Sequence, residues 1–374
     1  MVSKVTTAAG VEYSPGLEGV VAGETAICEV TAAGTLVYRG YDIHRLATTA
    51  PFEDVAALLI EGALPDAPGR DRVRTALAEA GAGLPGAIRV ALPLMPPGAH
   101  PMDVLRTGVS MLAAFDPDLD DPSHAANVRK ALRLVGYGPA LLEVVGSADG
   151  VPGSGKGESF AARLLRAITG SVPADWAVRA MDVVLALYAE HEFNAGTFAA
   201  RVTASTMSDM YSAVVSAIGT LKGPLHGGAN EKAMDVLREV GSADKADAWV
   251  AAALARKAKI MGFGHRVYRT GDSRVPIMRH VARELGTRTN QPQWAEICEA
   301  LEAAVAREKG LCANVDLYAA PVLHMLGVPA TMNTPVFACA RMAGWCAHVI
   351  EQHDGNRLIR PRSVYVGPVR EARV

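Results

Sequence analysis

Aromatic side chains and long apolar runs are both scarce in this chain. Phe, Trp and Tyr make up 5% of its 374 residues, although 50% of the residues are apolar. A core built mostly from Ala, Val and Leu suits close-packed helices, so we expect a mostly helical protein. No apolar run approaches the roughly 18 residues of a membrane span, and the opening "MVSKVTTAAGVEYSPG" lacks the apolar part of a secretory signal. We therefore expect a cytoplasmic protein without a membrane partner.

The chain also lacks an excess of charge and a cysteine motif. Its 37 Lys and Arg residues nearly balance its 39 Asp and Glu residues, which argues against a dedicated nucleic-acid or membrane-surface binder. A few clustered arginines can still hold a small anion. The five cysteines show no paired or metal-ligand spacing, so we expect no metal site and small, buried thiols in a reducing compartment. They are Cys28, Cys298, Cys312, Cys339 and Cys346.

Helical patterns dominate after one short strand-like stretch, "GTLVYRGYDI". Apolar stripes run through "FEDVAALLIEGALP", "HPMDVLRTGVSMLAAF" and "TPVFACARMAGWCAHVIEQ", and glycine or proline marks most of the joints. The segment "WAVRAMDVVLALYAEHEFNAGTFAARVTAS" predicts one long helix. A glycine-rich break near Gly223 and a turn near Pro329 delimit a candidate smaller lobe.

The stretch "GVPGSGKGES", residues 150–159, has the outline of a phosphate-binding loop. Lys156 is followed by Gly157 and then by Glu158, where a kinase loop would have a hydroxyl for Mg²⁺. A carboxylate there would repel phosphate oxygens, and the chain shows no strand–helix alternation that would build a parallel sheet. We interpret the stretch as a solvated linker and keep an ATP-dependent kinase that uses Lys156 as the alternative of another class.

Three histidines have unusual neighbours. His191 in "LYAEHEFN" falls on a predicted helical stripe with Leu187 and Tyr188, which is typical of a buried core residue as well as of a ligand. His226 in "KGPLHGGANE" precedes two glycines and the start of a helix, where the helix dipole favours the neutral imidazole. A helix-capping turn with an incidental histidine is the alternative there.

The third histidine, His265, lies in "IMGFGHRVYRTGDSR" between glycines and arginines. Glycines allow a flat or anionic ligand to approach the main chain, and arginines offer forked donors to carboxylates. We interpret this segment as a binding site. Its glycines and arginines are Gly262, Gly264, Arg266, Arg269 and Arg274.

Four motifs in order resemble those of the citrate synthase family. They are "GPLHGGANE", "KIMGFGHRVYRTGDSR", "ANVDLYAAPVLHMLGVP" and "RMAGWCAHVIEQ…NRLIRPRSVYVGP". The similarity begins near "GLEGVVAGETAICEV" and runs to about Pro368, and it is weakest over residues 129–159. The resemblance implies an all-α homodimer with an active site shared between subunits. It also implies a large domain of residues 1–221 and 331–374, and a small domain of residues 222–330 that closes over the substrate.

The resemblance further implies that the chain is an acyltransferase, condensing acetyl-CoA with oxaloacetate and water to citrate and CoA without a metal or cofactor. The implied catalytic residues are His226, His265 and Asp316. The implied oxaloacetate-binding residues are His191, Arg274, Arg341 and Arg360, the last from the partner subunit. The implied CoA-binding residues are Ile260, Met261, Gly262, Phe263, Gly264 and Phe337. Taken alone, an Asp at the start of a helix is ordinarily a capping or first-turn residue, and only the family motif indicates a base. Arg360 taken alone is equally typical of a surface charge.

Three positions depart from the family pattern. Ser273 stands where a proline is common, Tyr188 where a histidine is common, and Gly196 where a serine is common. These departures put substrate affinity and specificity in question, and they leave a catalytically silent binding protein as one alternative. A 2-methylcitrate synthase that uses propionyl-CoA is the other, because one methylene in an apolar pocket changes discrimination by only about 1–3 kcal/mol.

Overall fold

The computed structural model describes residues 4–6, 10, 12–31, 33–146, 157–264, 267–268 and 271–368. Its regular structure is almost wholly helical, which confirms the all-α prediction. The helices in these residues are α1 (Ile43–Thr49), α2 (Phe52–Glu61), α3 (Ala67–Ala82), α4 (Gly86–Ala91), α5 (Pro101–Leu112), α6 (His124–Gly146), α7 (Phe160–Thr169), α8 (Asp175–Tyr188), α9 (Ala195–Ala204), α10 (Met210–Leu221), α11 (Ala229–Val240), α12 (Ala246–Ala255), α13 (Arg274–Arg288), α14 (Gln293–Lys309), α15 (Val315–Met325) and α16 (Asn333–Asp354).

Five short strands also lie in the described residues. They are β1 (Val5–Thr6), β2 (Glu12–Tyr13), β3 (Cys28–Val30), β4 (Leu36–Tyr38) and β5 (Tyr41–Asp42). They pair antiparallel, as β1–β2 and as β3–β4–β5, and the predicted strand-like stretch forms β4 and β5. None of the described helices is both long enough and apolar enough to cross a lipid bilayer.

Helix α16 is the centre of the core. It packs against α2, α6, α8, α9 and α10, and nearly all of its side chains are buried. Most of them are small, so the neighbouring backbones approach closely. At Gly344 an added Cβ would collide with the Ala189 carbonyl and the Glu190 carboxylate. A core made of closely packed helices explains how the chain folds with so few aromatic residues.

The prediction of one long helix through His191 is wrong. Helix α8 ends at Tyr188 and α9 begins at Ala195, so His191 lies in the connection between them. Glu192 has a positive φ of 54° there, and the Asn194 side chain accepts the first N–H groups of α9, from Gly196 and Thr197 at 3.1 Å each. The left-handed residue and the asparagine cap stop one helix and start the next.

Four of the five cysteines are buried, as predicted, and all five are free thiols. The prediction is wrong for Cys312, which is exposed. This residue lies in the loop before α15, where the Cys312 carbonyl accepts the N–H of Gly264 at 2.9 Å. The backbone of Cys312 is therefore held by the fold although its side chain is exposed.

Candidate active site

Asp316 lies in the first turn of α15, and a loop from elsewhere in the chain fixes this helix start. The Asn314 side chain accepts the N–H of Asp316 at 3.1 Å, while the backbone N–H of Asn314 donates to the carbonyl of Gly262 at 2.9 Å. Gly262 has a φ of 86°, and a Cβ there would lie 3.0 Å from the Leu317 side chain. Only glycine fits this position, so segment 260–264 lies directly against the start of α15.

The same segment contributes buried apolar side chains. Ile260 and Phe263 are each 8% exposed, and Phe263 forms an antiparallel bridge with Ala313. Met261 is half-buried. The structure therefore brings together the predicted CoA-binding segment and the predicted base, which are more than fifty residues apart in the sequence.

Arg274 begins α13 and forms a buried, two-pronged ion pair with Asp272. Its Nε and one terminal nitrogen lie 2.9 and 2.8 Å from the two carboxylate oxygens. Burial alone would lower the pKa of Arg274, but the charge and hydrogen bonds of Asp272 raise it above its usual range. Asp272 also accepts the N–H of Val315 at 3.1 Å, which ties Arg274 to the start of α15.

Arg341, on α16, is 1% exposed, and among the described residues it has no carboxylate in a salt bridge. Its Nε donates to the carbonyl of Tyr188 at 2.5 Å, and its Cζ lies 4.6 Å from the centre of the Phe337 ring. Burial lowers the pKa of Arg341, while the charge of Glu190 opposes that change. A buried guanidinium without an ion-pair partner is suited to binding an anionic ligand.

The Asp316 carboxyl group is half-buried beside these two arginines. Its pKa is raised to about 6, mainly by desolvation. The charges of Arg274 and Arg341 oppose this change and the charge of Asp272 adds to it. The Tyr188 hydroxyl lies 3.5 Å from Asp316 Oδ1, and the Tyr188 ring packs on Phe337 with 4.2 Å between the ring centres. A carboxylate with a pKa near neutrality is suited to accept a proton.

His226 lies in the turn between α10 and α11, just before the helix start, as predicted. Its backbone N–H donates to the carbonyl of Gly223 at 2.9 Å. Desolvation, together with the charge of Arg341, lowers the imidazole pKa to about 4. The ring is therefore uncharged at neutral pH, and its buried Nε2 has no hydrogen-bond partner in the described part of the chain.

The other predicted site residues have different surroundings. His191 is 7% exposed, and its Nε2 lies 2.9 Å from the Tyr268 hydroxyl, so it is both buried and hydrogen-bonded. Arg360 lies in an extended stretch after α16 and is exposed, so within one chain it does not join this cluster. His265, Arg266 and Arg269 lie outside the described residues.

A buried polar network behind the site was not found from the sequence. Glu190 and His348 are both 0% exposed and 3.0 Å apart, and His348 Nδ1 lies 2.9 Å from Arg201. The Tyr38 hydroxyl lies 2.8 Å from the carbonyl of Glu190. These contacts hold the 186–191 segment, which carries His191 and the Tyr188 carbonyl that binds Arg341. The signal that could have found them is a histidine in the middle of the apolar helix α16.

The described end of the kinase-like stretch has a structural role. Glu158 forms an ion pair with Arg166 at 2.7 Å, and the Ser159 hydroxyl accepts the N–H of Ala162 at 3.3 Å to cap α7. Lys156 and the rest of residues 150–156 lie outside the described residues.

Comparison with known proteins decides the family. Residues 16–362 match the protein-family model described as "Citrate synthase, C-terminal domain". The chain belongs to the citrate synthase family. The family resemblance inferred from the four motifs is thus confirmed, and it places the chain among acyltransferase-type enzymes.

Relatives within the family carry two different names. The chain is 42% identical to a citrate/2-methylcitrate synthase of Bacillus subtilis, over 95% of this chain and 97% of the relative. It is 43% identical to a 2-methylcitrate synthase of Mycobacterium tuberculosis, over 98% of this chain and 94% of the relative. Its fold is similar to that of Thermoplasma acidophilum citrate synthase, solved in a ternary complex with carboxymethyl coenzyme A and oxaloacetate. That likeness has a TM-score of 0.89 at 31% identity and covers 97% of this chain and 98% of the other.

Proposed function

We propose that the protein condenses acetyl-CoA with oxaloacetate and water to give citrate and CoA. The observation that carries this proposal is that one buried arginine, Arg341, acts on both the Asp316 carboxyl, whose pKa is raised to about 6, and the uncharged His226 imidazole. Both lie within electrostatic reach of Arg341. Family membership supports the same reaction.

In the proposed reaction Asp316 takes a proton from the methyl carbon of the acetyl thioester. Because that carbon is weakly acidic, the negative charge that develops on the thioester oxygen must be stabilised as the proton leaves. Nε2 of His226, in the tautomer that carries its proton there, donates a hydrogen bond to this oxygen. The unpartnered Nε2 supports this role, since a buried donor without a protein acceptor is available to a ligand.

The resulting enol carbon attacks the ketone carbon of oxaloacetate, and a carbon–carbon bond forms. We assign to His265 the polarisation of that ketone, and to His191, Arg274 and Arg341 the binding of the dicarboxylate. Water then cleaves the thioester, so that the carbonyl carbon becomes the new carboxylate of citrate and the sulfur leaves as the CoA thiol. Each of these steps uses only the two substrates, water and protein side chains, so we propose that no metal or cofactor takes part.

Segment 260–264 and Phe337 are proposed to contact the acetyl-CoA. The buried, backbone-paired geometry of 260–264 next to α15 supports this role, because it would place a bound CoA beside Asp316. Residues 222–330 are proposed to form a smaller domain that closes on residues 1–221 and 331–374. Closure would exclude water until the condensation is complete.

We propose further that the protein acts as a homodimer in the cytoplasm, within the tricarboxylic acid cycle. Arg360 supports the dimer, because it is exposed and lies in a stretch that also exposes several apolar side chains. Leu358 is 58%, Tyr365 73% and Val366 87% exposed, which is typical of a surface that a partner covers. In such a dimer Arg360 would complete the dicarboxylate site of the partner subunit.

Subunit sharing can be tested by complementation. Arg360→Ala and Asp316→Asn are each expected to lose most activity, and a mixed dimer of the two contains one site with both native residues. Co-refolding them should therefore restore activity, up to about a quarter of that of the wild type for random pairing. If the mixture stays as inactive as its parents, Arg360 does not act across a subunit interface.

Propionyl-CoA is the second candidate acyl donor, because the two relatives described above carry both names. The test of both functions is oxaloacetate-dependent release of CoA thiol, compared as kcat/KM for acetyl-CoA and propionyl-CoA. A preference for acetyl-CoA supports the proposal. A clear preference for propionyl-CoA assigns the protein to 2-methylcitrate synthesis instead, and no thiol release with either donor would refute both.

A further inference from the structure

The turn that carries His226, residues 222–228, is anchored on both sides. At its start, Lys222 Nζ lies 2.6 and 2.8 Å from the carboxylate oxygens of Asp103, in the first turn of α5. After it, Glu231 in the first turn of α11 contacts both α16 and the start of α5. The N-terminal end of α5 therefore lies against both flanks of the turn.

Glu231 makes its strongest contact with α16. The buried Thr334 hydroxyl lies 2.5 Å from Glu231 Oε1, and the same hydroxyl is 3.5 Å from the carbonyl of Gly227. Thr334 is 1% exposed, so it has little freedom to move. Because α16 also carries Arg341 and Phe337, this contact fixes the backbone next to His226 relative to the buried arginine.

The second carboxylate oxygen of Glu231 faces His100, the N-terminal cap of α5. His100 Nδ1 accepts the N–H of Met102 at 3.2 Å, so in the neutral ring the proton is on Nε2. That nitrogen lies 3.8 Å from Glu231 Oε2. The contact is attractive but longer than a hydrogen bond, so the Thr334 contact dominates.

We propose that Glu231 is a positioning residue that holds the His226 imidazole in place, through its hydrogen bond with Thr334. The inference rests on the proposed function. No described side chain bonds His226 Nε2, and the two residues after His226 are glycines, so the ring position depends on the backbone of the turn. Glu231 and Thr334 supply the polar contact that fixes this backbone at its C-terminal end.

A purely structural role of Glu231 makes a different prediction. An acidic residue in the first turn of a helix stabilises it by about 0.3–1 kcal/mol through the helix dipole. That effect needs the negative charge, whereas the hydrogen bond with Thr334 needs only an acceptor oxygen. Glu231→Gln separates the two, because it removes the charge and keeps the acceptor.

The kinetic experiment measures kcat and the KM for oxaloacetate in five variants of the full chain. Glu231→Ala and Thr334→Val should lower kcat on the order of 10- to 100-fold, as expected for a misplaced catalytic group, with a nearly unchanged KM for oxaloacetate. Glu231→Gln and Thr334→Ser should restore most of kcat. The matched control is Glu296→Ala, which removes an exposed first-turn acid from α14 and should behave like the wild type.

An NMR titration of His226 tests the proposal without any turnover. Burial and Arg341 hold its pKa at about 4, so a displaced and hydrated ring in Glu231→Ala or Thr334→Val should titrate closer to 6.5. If Glu231→Ala does not fold, Thr334→Val carries the test. Wild-type kcat and titration in Thr334→Val would overturn the proposal, as would a Glu231→Gln variant as impaired as Glu231→Ala. An inactive wild type would refute the proposed reaction, while the titration would still decide the role of Glu231.

Discussion

Replacing Asp316 by Asn is expected to stabilise the protein and to inactivate it. Desolvation raises the pKa of Asp316 from 3.8 to about 6. A folded-state pKa above the unfolded one means that this group's contribution to stability is present below about pH 4 and is lost as the pH rises through about 6. At about 1.36 kcal/mol per pKa unit, a shift of roughly two units corresponds to about 3 kcal/mol at neutral pH. Relaxation around the side chain lowers the expected gain to about 1–3 kcal/mol.

Urea unfolding of the full chain at about pH 7.5 and about pH 4 measures this effect. Asp316→Asn should be more stable than the wild type mainly at the higher pH, because at the lower one the folded-state carboxyl group is protonated and leaves no buried charge. Asp175→Asn is the matched control, since Asp175 is an exposed residue in the first turn of α8. It should show no gain in the free energy of unfolding at either pH.

Two results would refute the reasoning. Equal stability of wild type and Asp316→Asn at about pH 7.5 would mean that the ionised carboxylate is not held unfavourably. A loss of stability would mean that Arg274 and Arg341 stabilise the carboxylate more than burial opposes it, and the pKa of Asp316 would then be low.

Three further predictions follow from the same contacts. The kcat for thiol release should rise with pH through about 6 and level off above it, because Asp316 must be ionised while His226 is already neutral. A kcat that stays constant down to about pH 5 would contradict this assignment. Gly196→Ser should be about 1 kcal/mol more stable than Gly196→Ala in urea unfolding. A Cβ at this position would lie 3.3 Å from the buried, unpartnered Nε1 of Trp345, so a serine hydroxyl there can accept the indole N–H. Equal stability of the two variants would show that this hydrogen bond does not form. Lys156→Ala should leave thiol release nearly intact, whereas loss of activity would favour the kinase alternative.

Local sequence patterns predicted most of the helices and the immediate surroundings of Asp316 and His226. Asn314 and Asp316 form a helix start because the asparagine side chain accepts the aspartate N–H at 3.1 Å. The glycines after His226 come just before α11, as predicted. In both places the structure is determined by residues a few positions apart, which is the range in which capping and turn preferences act.

Contacts between distant segments could not be predicted in this way. Apolar spacing placed His191 on a helix, because the stripe from α8 continues past Tyr188, whereas the Asn194 cap and the left-handed Glu192 end that helix. The pairing of Asp272 with the N–H of Val315, and of Glu190 with His348, depends on how helices pack. Nothing in the local spacing of either partner specifies the other.

The claim that Asp316 removes a proton from the acyl carbon can be tested with one mass measurement. Acetyl-CoA with three methyl deuterons is incubated with oxaloacetate and the wild-type protein, and the masses of the products are measured by mass spectrometry. We predict citrate that retains two deuterons, since one must leave before the carbon–carbon bond forms, and no such product from Asp316→Asn. Release of acetate that keeps all three deuterons, or an Asp316→Asn variant that forms citrate at the wild-type rate, would contradict the mechanism.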